Sequence, residues 1–328
     1  MKKRYRKPYL FLLACLLILT ISCNAPRENP VDPNNPDNKL SSISGVVKAQ
    51  GYPFEPIKNV DVFWANDNIL VQTDENGEYN IPRVIRNNGW LTFHREGYSD
   101  DSTFIDWGKN DIVSNEIFLN SVPTLDSLEF FSVVENRFQF NQKYYVKVRA
   151  RVSDNEGVND IVNVAIENNE LNLLKVLDYD PAQNYYIGEL TLSDLNITSL
   201  NEIIGKDFRI LVNDLDSNTF VIGITNIKRV INEEIELIQP INNEQVSTPF
   251  KLNWIRFIPG FNFTYRVEIF TNETPPSMVY SEGNIAQDSI SHTVNSQFGE
   301  GNFFWVIWAI DEFNNQSRSK PGSFIIGN

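Results

Sequence analysis

The sequence has few of the side chains that most often bind transition metals or act in nucleophilic catalysis. Its 328 residues include only two histidines, His94 and His292, and two cysteines, Cys15 and Cys23. A nitrogen- and sulfur-rich metal site needs several such residues close together. The hydrolase string Gly-x-Ser-x-Gly and the protease string His-Glu-x-x-His do not occur, and no glycine-rich loop joins a strand to a helix. We therefore expect no resident cofactor and no enzymatic activity.

Positive charge is scarce beyond the first segment of the chain. The whole sequence has 28 Lys and Arg against 42 Asp and Glu. Residues 1–22 hold five of the basic residues and no acid, which leaves 23 basic against 42 acidic residues, a charge of −19, from residue 23 onward. Such a surface repels nucleic-acid phosphates and anionic lipid headgroups. We predict no nucleic-acid partner and no electrostatic membrane contact.

The first 23 residues have the pattern of an export signal. Five basic residues precede an apolar run over residues 9–21, which is too short to span a membrane comfortably. The run ends at Thr20-Ile21-Ser22-Cys23, and this pattern resembles a bacterial lipoprotein signal. The resemblance implies cleavage after residue 22 and lipidation of Cys23, which would attach the chain to a membrane through its N-terminal lipid. The alternative is an ordinary cleaved signal with an incidental cysteine.

Residues 23–40 form a segment rich in proline and asparagine. Four prolines within this stretch favour polyproline II over a packed core, and at about 3.1 Å per residue the segment is a tether of roughly 50 Å. Cys15 is removed with the signal, so the mature chain keeps one lipidated cysteine and no disulfide. Residue 24 is Asn, not the aspartate of an inner-membrane retention signal, which favours the outer membrane. Its periplasmic and surface-exposed faces stay open.

From Ile43 onward the apolar residues alternate with a period of two, interrupted by Gly, Asn, Asp and Pro. This pattern predicts an all-β body of tandem β-sandwich domains. The one exception is residues 192–206, where a short helix is predicted with Ser193 or Asp194 as its cap.

Residues 41–120 carry an ordered series of motifs. The motifs are Ile43-x-Gly45-x-Val47, Pro56-Ile57-x-Asn59-Val60-x-Val62, Thr73-Asp74-x-Asn76-Gly77-x-Tyr79-x-Ile81 and Gly97-Tyr98. The series resembles the carboxypeptidase regulatory-like domain, which implies a transthyretin-like sandwich, an accessory role and no catalytic residue. Asp74, Glu75 and Glu78 are interpreted as a solvated hairpin turn, with calcium as the alternative.

Within residues 121–232, the chain alternates over residues 144–152 between an apolar face and a polar face that begins with Tyr145. This segment resembles the immunoglobulin-like modules of bacterial surface proteins. On the polar face, Lys147, Arg149 and Arg151 are expected to pair with carboxylates across strands, and binding of an anionic glycan is the alternative. Two strand ends rich in acids are interpreted as solvated loops, with a calcium site as the alternative. Its candidate ligands are Asp154, Glu156, Asp160, Asp214 and Asp216.

Residues 233–328 resemble a fibronectin type III-like domain, with a tryptophan early and an aromatic-rich strand late. In the strand over residues 303–310 both faces are apolar. One face is expected to fill the core with Phe303, Trp305, Ile307 and Ala309. The other face is expected to be covered either by residues 121–232 or by a partner. This candidate interaction patch consists of Phe304, Val306, Trp308 and Ile310.

These features predict a non-enzymatic, lipid-anchored cell-envelope protein of the bacterial outer membrane. Its role would be to bind or to space a protein or glycan partner at the surface. The alternative is a glycan-active enzyme with carboxylates between the second and third predicted domains, because 42 acids offer many possible pairs.

Overall fold

The computed structural model describes residues 40–137 and 141–327. The predicted signal segment, Cys23 and residues 24–39 of the tether lie outside the described residues. Within the described part, the regular secondary structure is β-strand except for two short 3₁₀ helices at Asn169–Leu171 and Leu200–Ile203. No helix in this part is long and apolar enough to cross a membrane. The chain is thus an all-β protein of tandem β-sandwiches, and it divides into compact units of residues 1–122 and 123–328.

The first unit is a seven-stranded sandwich. Its strands are β1 Leu40–Ala49, β2 Asp61–Trp64, β3 Ile69–Gln72, β4 Glu78–Ile85, β5 Gly89–His94, β6 Asp101–Ile105 and β7 Ile112–Leu119. One sheet has the order β4-β1-β7 and the other β3-β2-β5-β6. Alternate side chains such as Ile43, Trp64 and Phe93 fill the core between the sheets. Gly45 is required, because a Cβ there would lie 2.1 Å from the carbonyl oxygen of Asn115.

The first part of the second unit, the middle sandwich, packs two four-stranded layers together. Its strands are β8 Thr124–Glu135, β9 Lys143–Ser153, β10 Ile161–Asn168, β11 Leu173–Val176, β12 Asp178–Asp180, β13 Tyr185–Thr191, β14 Phe208–Asp214 and β15 Thr219–Thr225. One layer has the order β11-β10-β14-β15 and the other β12-β13-β9-β8. Their shared core includes Val146, Val148, Ile166 and Phe208.

The rest of the second unit, the last sandwich, has its own core. Its strands are β16 Leu237–Gln239, β17 Glu244–Val246, β18 Phe250–Trp254, β19 Phe263–Thr271, β20 Met278–Ala286, β21 Ser291–Val294, β22 Gly301–Asp311, β23 Gln316–Arg318 and β24 Gly322–Ile326. The sheet β16-β18-β21 covers one face of β19 and β22. Phe303, Trp305, Ile307 and Ala309 lie in this core, on the face that the alternation predicts.

One sheet runs through both parts of the second unit. β23 pairs in parallel with β8, and Ser317 lies beside Val134, so the order is β12-β13-β9-β8-β23-β22-β19-β20. The register places both sandwich cores on one face of this ten-stranded sheet. The predicted boundary between the second and third domains, at residues 232 and 233, falls inside this unit and stays a prediction.

Two local predictions are corrected by the structure. Residues 192–206 form turns followed by the 3₁₀ helix Leu200–Ile203, and its cap is Ser199 in a capping box with Glu202, not Ser193 or Asp194. The carboxylate of Asp194 instead accepts a hydrogen bond from the backbone N–H of Thr191 at 2.8 Å. Tyr145, predicted to face water, is buried because the outer face of β9 is covered at that position.

Candidate functional site

Acidic side chains meet at one end of the middle sandwich. Asp154 and Glu156 lie in the loop after β9, and Asp160 directly precedes β10. Carboxylate oxygens of these three residues lie within 4.8 Å of one another. Asp214 ends β14 and Asp216 follows it in the turn. The structure therefore brings three of the five predicted calcium ligands to a common point.

The other two acids affect this point through their charge. Both carboxylate oxygens of Asp214 accept hydrogen bonds from Asn218, at 2.7 Å from its backbone N–H and 2.8 Å from its side-chain amide. Burial is the largest cause that raises the pKa of Asp160, and the charges of Asp154, Asp214 and Asp216 raise this pKa further. The cluster thus concentrates negative charge around a partly buried carboxylate.

The acidic cluster offers hard oxygen ligands of the kind that Ca²⁺ prefers. Calcium binding at Asp154, Glu156 and Asp160 stays a prediction. A bound divalent cation would relieve the mutual repulsion that raises the pKa of Asp160.

We expect Asp160→Asn to raise the melting temperature in a calcium chelator. A carboxylate whose pKa is raised on folding destabilises the fold above both pKa values, and this cost disappears as the pH falls to the unfolded-state value. Calorimetry near pH 7 and near pH 3 should show the gain only at the higher pH.

The same variant tests calcium. Millimolar Ca²⁺ at 100 times its Kd would stabilise the wild-type protein by about 2.7 kcal/mol and leave Asp160→Asn almost unchanged. A wild-type melting temperature that calcium does not move would contradict the predicted site.

The candidate interaction patch on β22 is covered by the chain itself. Val306 and Trp308 are buried in an apolar cluster with Phe131, Val133 and Tyr145 of the middle sandwich. We call these five residues the shared outer cluster, because they lie on the face of the ten-stranded sheet opposite the two cores. Phe304 and Ile310 are partly buried against this cluster. Of the two predicted coverings, these contacts favour residues 121–232 over a partner, since the central residues of the patch are buried within the chain.

Ionic groups enclose Trp308. Its indole N–H donates to the carboxylate of Glu268 at 2.8 Å. The guanidinium groups of Arg266 and Arg318 lie 5.2 and 5.6 Å from its ring centroid. The indole thus has both apolar and polar partners within its own chain, which is the usual arrangement of a buried tryptophan.

The basic residues of β9 have neighbours that explain them. The guanidinium of Arg149 donates to both oxygens of Glu129 at 3.1 and 3.0 Å and lies 4.3 Å from the ring centroid of Tyr185. Arg151 lies 4.6 Å from the same ring, and Lys147 is exposed opposite Glu189. These contacts favour cross-strand pairing over an anionic-glycan site at this strand.

The hairpin at Asp74 is a hydrogen-bonded turn. Its carboxylate accepts from the backbone N–H groups of Asn76 and Glu78, both at 2.9 Å. Gly77 has a φ of +72°, the positive value that the Asn-Gly pair predicts. Glu75 pairs with Lys58 at 3.3 Å. These contacts favour the solvated turn over calcium there.

A second surface was not recognised from the sequence. Trp90 and Phe104 are cross-strand neighbours on the outward face of β5 and β6. Their ring centroids lie 5.3 Å apart with an interplanar angle of 69°, and the side chains are 54% and 50% exposed. The alternation in β5 predicts that Trp90 faces outward, but the sequence DSTFI of β6 has too little apolar alternation to predict a strand, so the sequence does not indicate the partner ring.

No known family model matches the chain, and no curated protein matches its sequence. Among solved structures, the chain is similar to fibronectin(III)-like modules of CbhA from Clostridium thermocellum, with 14% identity, 62% of this chain and 93% of that chain covered, and a TM-score of 0.29. The FN1–FN3 domains of chicken CNTN1 share 8% identity over 82% of this chain and 91% of that one, with a TM-score of 0.31. BcpA, the major pilin subunit of Bacillus cereus, shares 10% identity over 88% and 96%, with a TM-score of 0.26.

Proposed function

We propose that this chain is a non-enzymatic, lipid-anchored protein of the bacterial outer membrane whose sandwiches bind or space a surface partner. In this proposal, residues 41–120 are a carboxypeptidase regulatory-like domain, residues 121–232 an immunoglobulin-like domain and residues 233–328 a fibronectin type III-like domain. The motif series of residues 43–98 and the Cys23 signal support the proposal.

The observation that carries the proposal is that carboxylates near the join of the last two sandwiches are engaged in hydrogen bonds and ion pairs with the chain itself. Asp311, with a side chain 0% exposed, accepts from the guanidinium of Arg229 at 3.1 Å. Glu135, at the end of β8, accepts from the hydroxyl of Tyr145 on β9 at 2.9 Å and lies 3.5 Å from the guanidinium of Arg318 on β23. Within the last sandwich, Glu268 accepts from the indole of Trp308. Acids engaged in such contacts within and between the two sandwiches favour a rigid spacer over the alternative, a glycosidase with a pair of carboxylates free to act on a sugar.

A turnover assay separates the two functions. The full chain, in a detergent without sugar headgroups, is incubated with neutral and acidic polysaccharides and simple esters. We expect no saturable turnover. Turnover that Glu135→Gln or Glu268→Gln abolishes, while the exposed-acid control Glu312→Gln retains it, would overturn the proposal in favour of the enzyme.

We expect Cys23→Ala to abolish lipidation and stable membrane attachment. The thiol of Cys23 is the nucleophile that lipoprotein acylation requires, and stable anchoring needs more than one acyl chain. Metabolic labelling with a fatty acid and membrane fractionation measure the two effects. Cys15→Ala, inside the predicted signal, is the matched control and should be labelled like the wild type. A Cys23→Ala protein that still carries lipid would contradict the anchor.

A further inference from the structure

The outward face of the sheet β3-β2-β5-β6 presents an aromatic row, a mixed row and a polar row along its strands. Trp90 and Phe104 form one cross-strand row, Thr92 and Ser102 the next, and Asp61 and His94 the third, and we call these six residues the outer platform. Phe63 and Leu70 extend the middle row on β2 and β3 with apolar side chains. The buried residues of the same strands, such as Leu91 and Phe93, point to the opposite face. Backbone pairing therefore fixes three rows of different chemistry on one exposed surface.

The aromatic row offers ring surface to a ligand. Each aromatic side chain buries about 150–250 Å² when it is covered, and about half of Trp90 and of Phe104 is exposed. The two rings meet edge to face, so they support each other and keep their positions on neighbouring strands. The negatively charged face of an aromatic ring attracts polarised C–H groups as it attracts cations. A ligand with a flat C–H surface fits this row.

The remaining rows offer hydrogen-bonding groups, and their histidine is paired with an acid. Among the outward-facing residues of these four strands, all of which the structure describes, there is no lysine or arginine. His94 is paired with Asp100 through Nδ1 at 2.6 Å, and Asp61 accepts from the side chain of Gln72 at 2.8 Å. Carboxylate and hydroxyl oxygens can still accept hydrogen bonds from a ligand. This charge pattern repels anionic polymers and suits an uncharged ligand rich in hydroxyl groups.

We propose that the outer platform binds a neutral glycan. Its C–H face would stack on Trp90 and Phe104, and its hydroxyl groups would bond to Thr92, Ser102 and Asp61. The five residues of β5 from Trp90 to His94 extend about 13 Å, and the three strands β2, β5 and β6 are about 10 Å across, which is room for a short oligosaccharide segment. This inference rests on the proposed binding function and names its ligand class.

The test uses the full chain in a zwitterionic detergent without a sugar headgroup. It is applied to arrays of neutral glucans, mannans and galactans beside sulfated and uronic-acid polymers. We expect binding to neutral glycans alone. Trp90→Ala and Phe104→Ala should each weaken it about tenfold or more, as the loss of a central aromatic contact does. Trp90→Tyr should restore most of the binding. Tyr52→Ala is the matched control, because Tyr52 is 87% exposed in the same unit and should leave binding unchanged.

Several results would overturn the proposal that the outer platform binds a neutral glycan. They are binding to anionic polymers only, no binding to any neutral glycan, and neutral binding that Trp90→Ala leaves intact. If sedimentation shows self-association that Trp90→Ala abolishes, and glycan binding is unchanged by this substitution, the outer platform would instead bind a second copy of the chain. None of these results involves turnover, so failure of the platform is distinguishable from failure of the proposed function.

Discussion

Trp308→Asp is expected to destabilise the second unit by about 4 kcal/mol or more. The substitution removes a buried indole and forces a carboxylate into the shared outer cluster beside Val133 and Val306. It also places this carboxylate next to Glu268, which loses its indole N–H donor. For a unit of about 200 residues, the melting temperature should fall by about 8–16 °C. Calorimetry or urea unfolding of the full chain measures the change.

Trp90→Asp is the matched control for this prediction. It makes the same chemical change at a tryptophan that is 54% exposed, where surface substitutions usually cost about 0.5 kcal/mol or less. The difference in stability loss between the two variants separates the effect of burial from the effect of replacing tryptophan by aspartate. Equal and small losses for both variants would mean that Trp308 is exposed in solution, and the patch on β22 would again be a candidate partner surface.

Alternation along the chain predicts most strands because each sandwich places every second residue in a core. It predicts the inward faces of β5 and β22, where Leu91 and Trp305 are buried. It fails for β6, whose sequence DSTFI has apolar residues only at Phe104 and Ile105. A strand at the edge of a sheet needs little apolar sequence, because only one end of β6 reaches the core.

Alternation cannot predict what covers an outward face. The two apolar faces over residues 303–310 indicate that both are buried, but the covering residues lie on strands far away in sequence. The alternation wrongly predicts that Tyr145 faces water for the same reason, because no residue near it in sequence indicates that the shared outer cluster covers it. Likewise, Ser132 and Asn315 are hydrogen-bonded across 183 residues. Such contacts depend on how two sandwiches join, and local patterns do not contain that information.

Asp311→Ala is expected to destabilise the join between the last two sandwiches by about 3–5 kcal/mol, because it removes a fully buried acceptor that Arg229 shares with three N–H groups of the following turn. The Asp311 carboxylate accepts from the backbone N–H groups of Phe313 and Asn315, both at 2.9 Å. It also accepts from the Asn315 side-chain amide at 3.1 Å, and this orients the amide oxygen toward the backbone N–H of Ser132, 2.9 Å away. One carboxylate therefore positions the hydrogen bond that links β8 to the turn before β23.

Glu312→Ala is the control for Asp311→Ala. Glu312 is the next residue, its side chain is 53% exposed, and it lies 3.8 Å from the guanidinium of Arg229, so its loss should cost about 1 kcal/mol or less. Amide hydrogen exchange adds a local readout. The Ser132 N–H should exchange faster in Asp311→Ala and in Asn315→Ala, and at the wild-type rate in Glu312→Ala. If Asp311→Ala and Glu312→Ala lose stability equally and Ser132 stays protected in both, the buried polar network does not hold the sandwiches together.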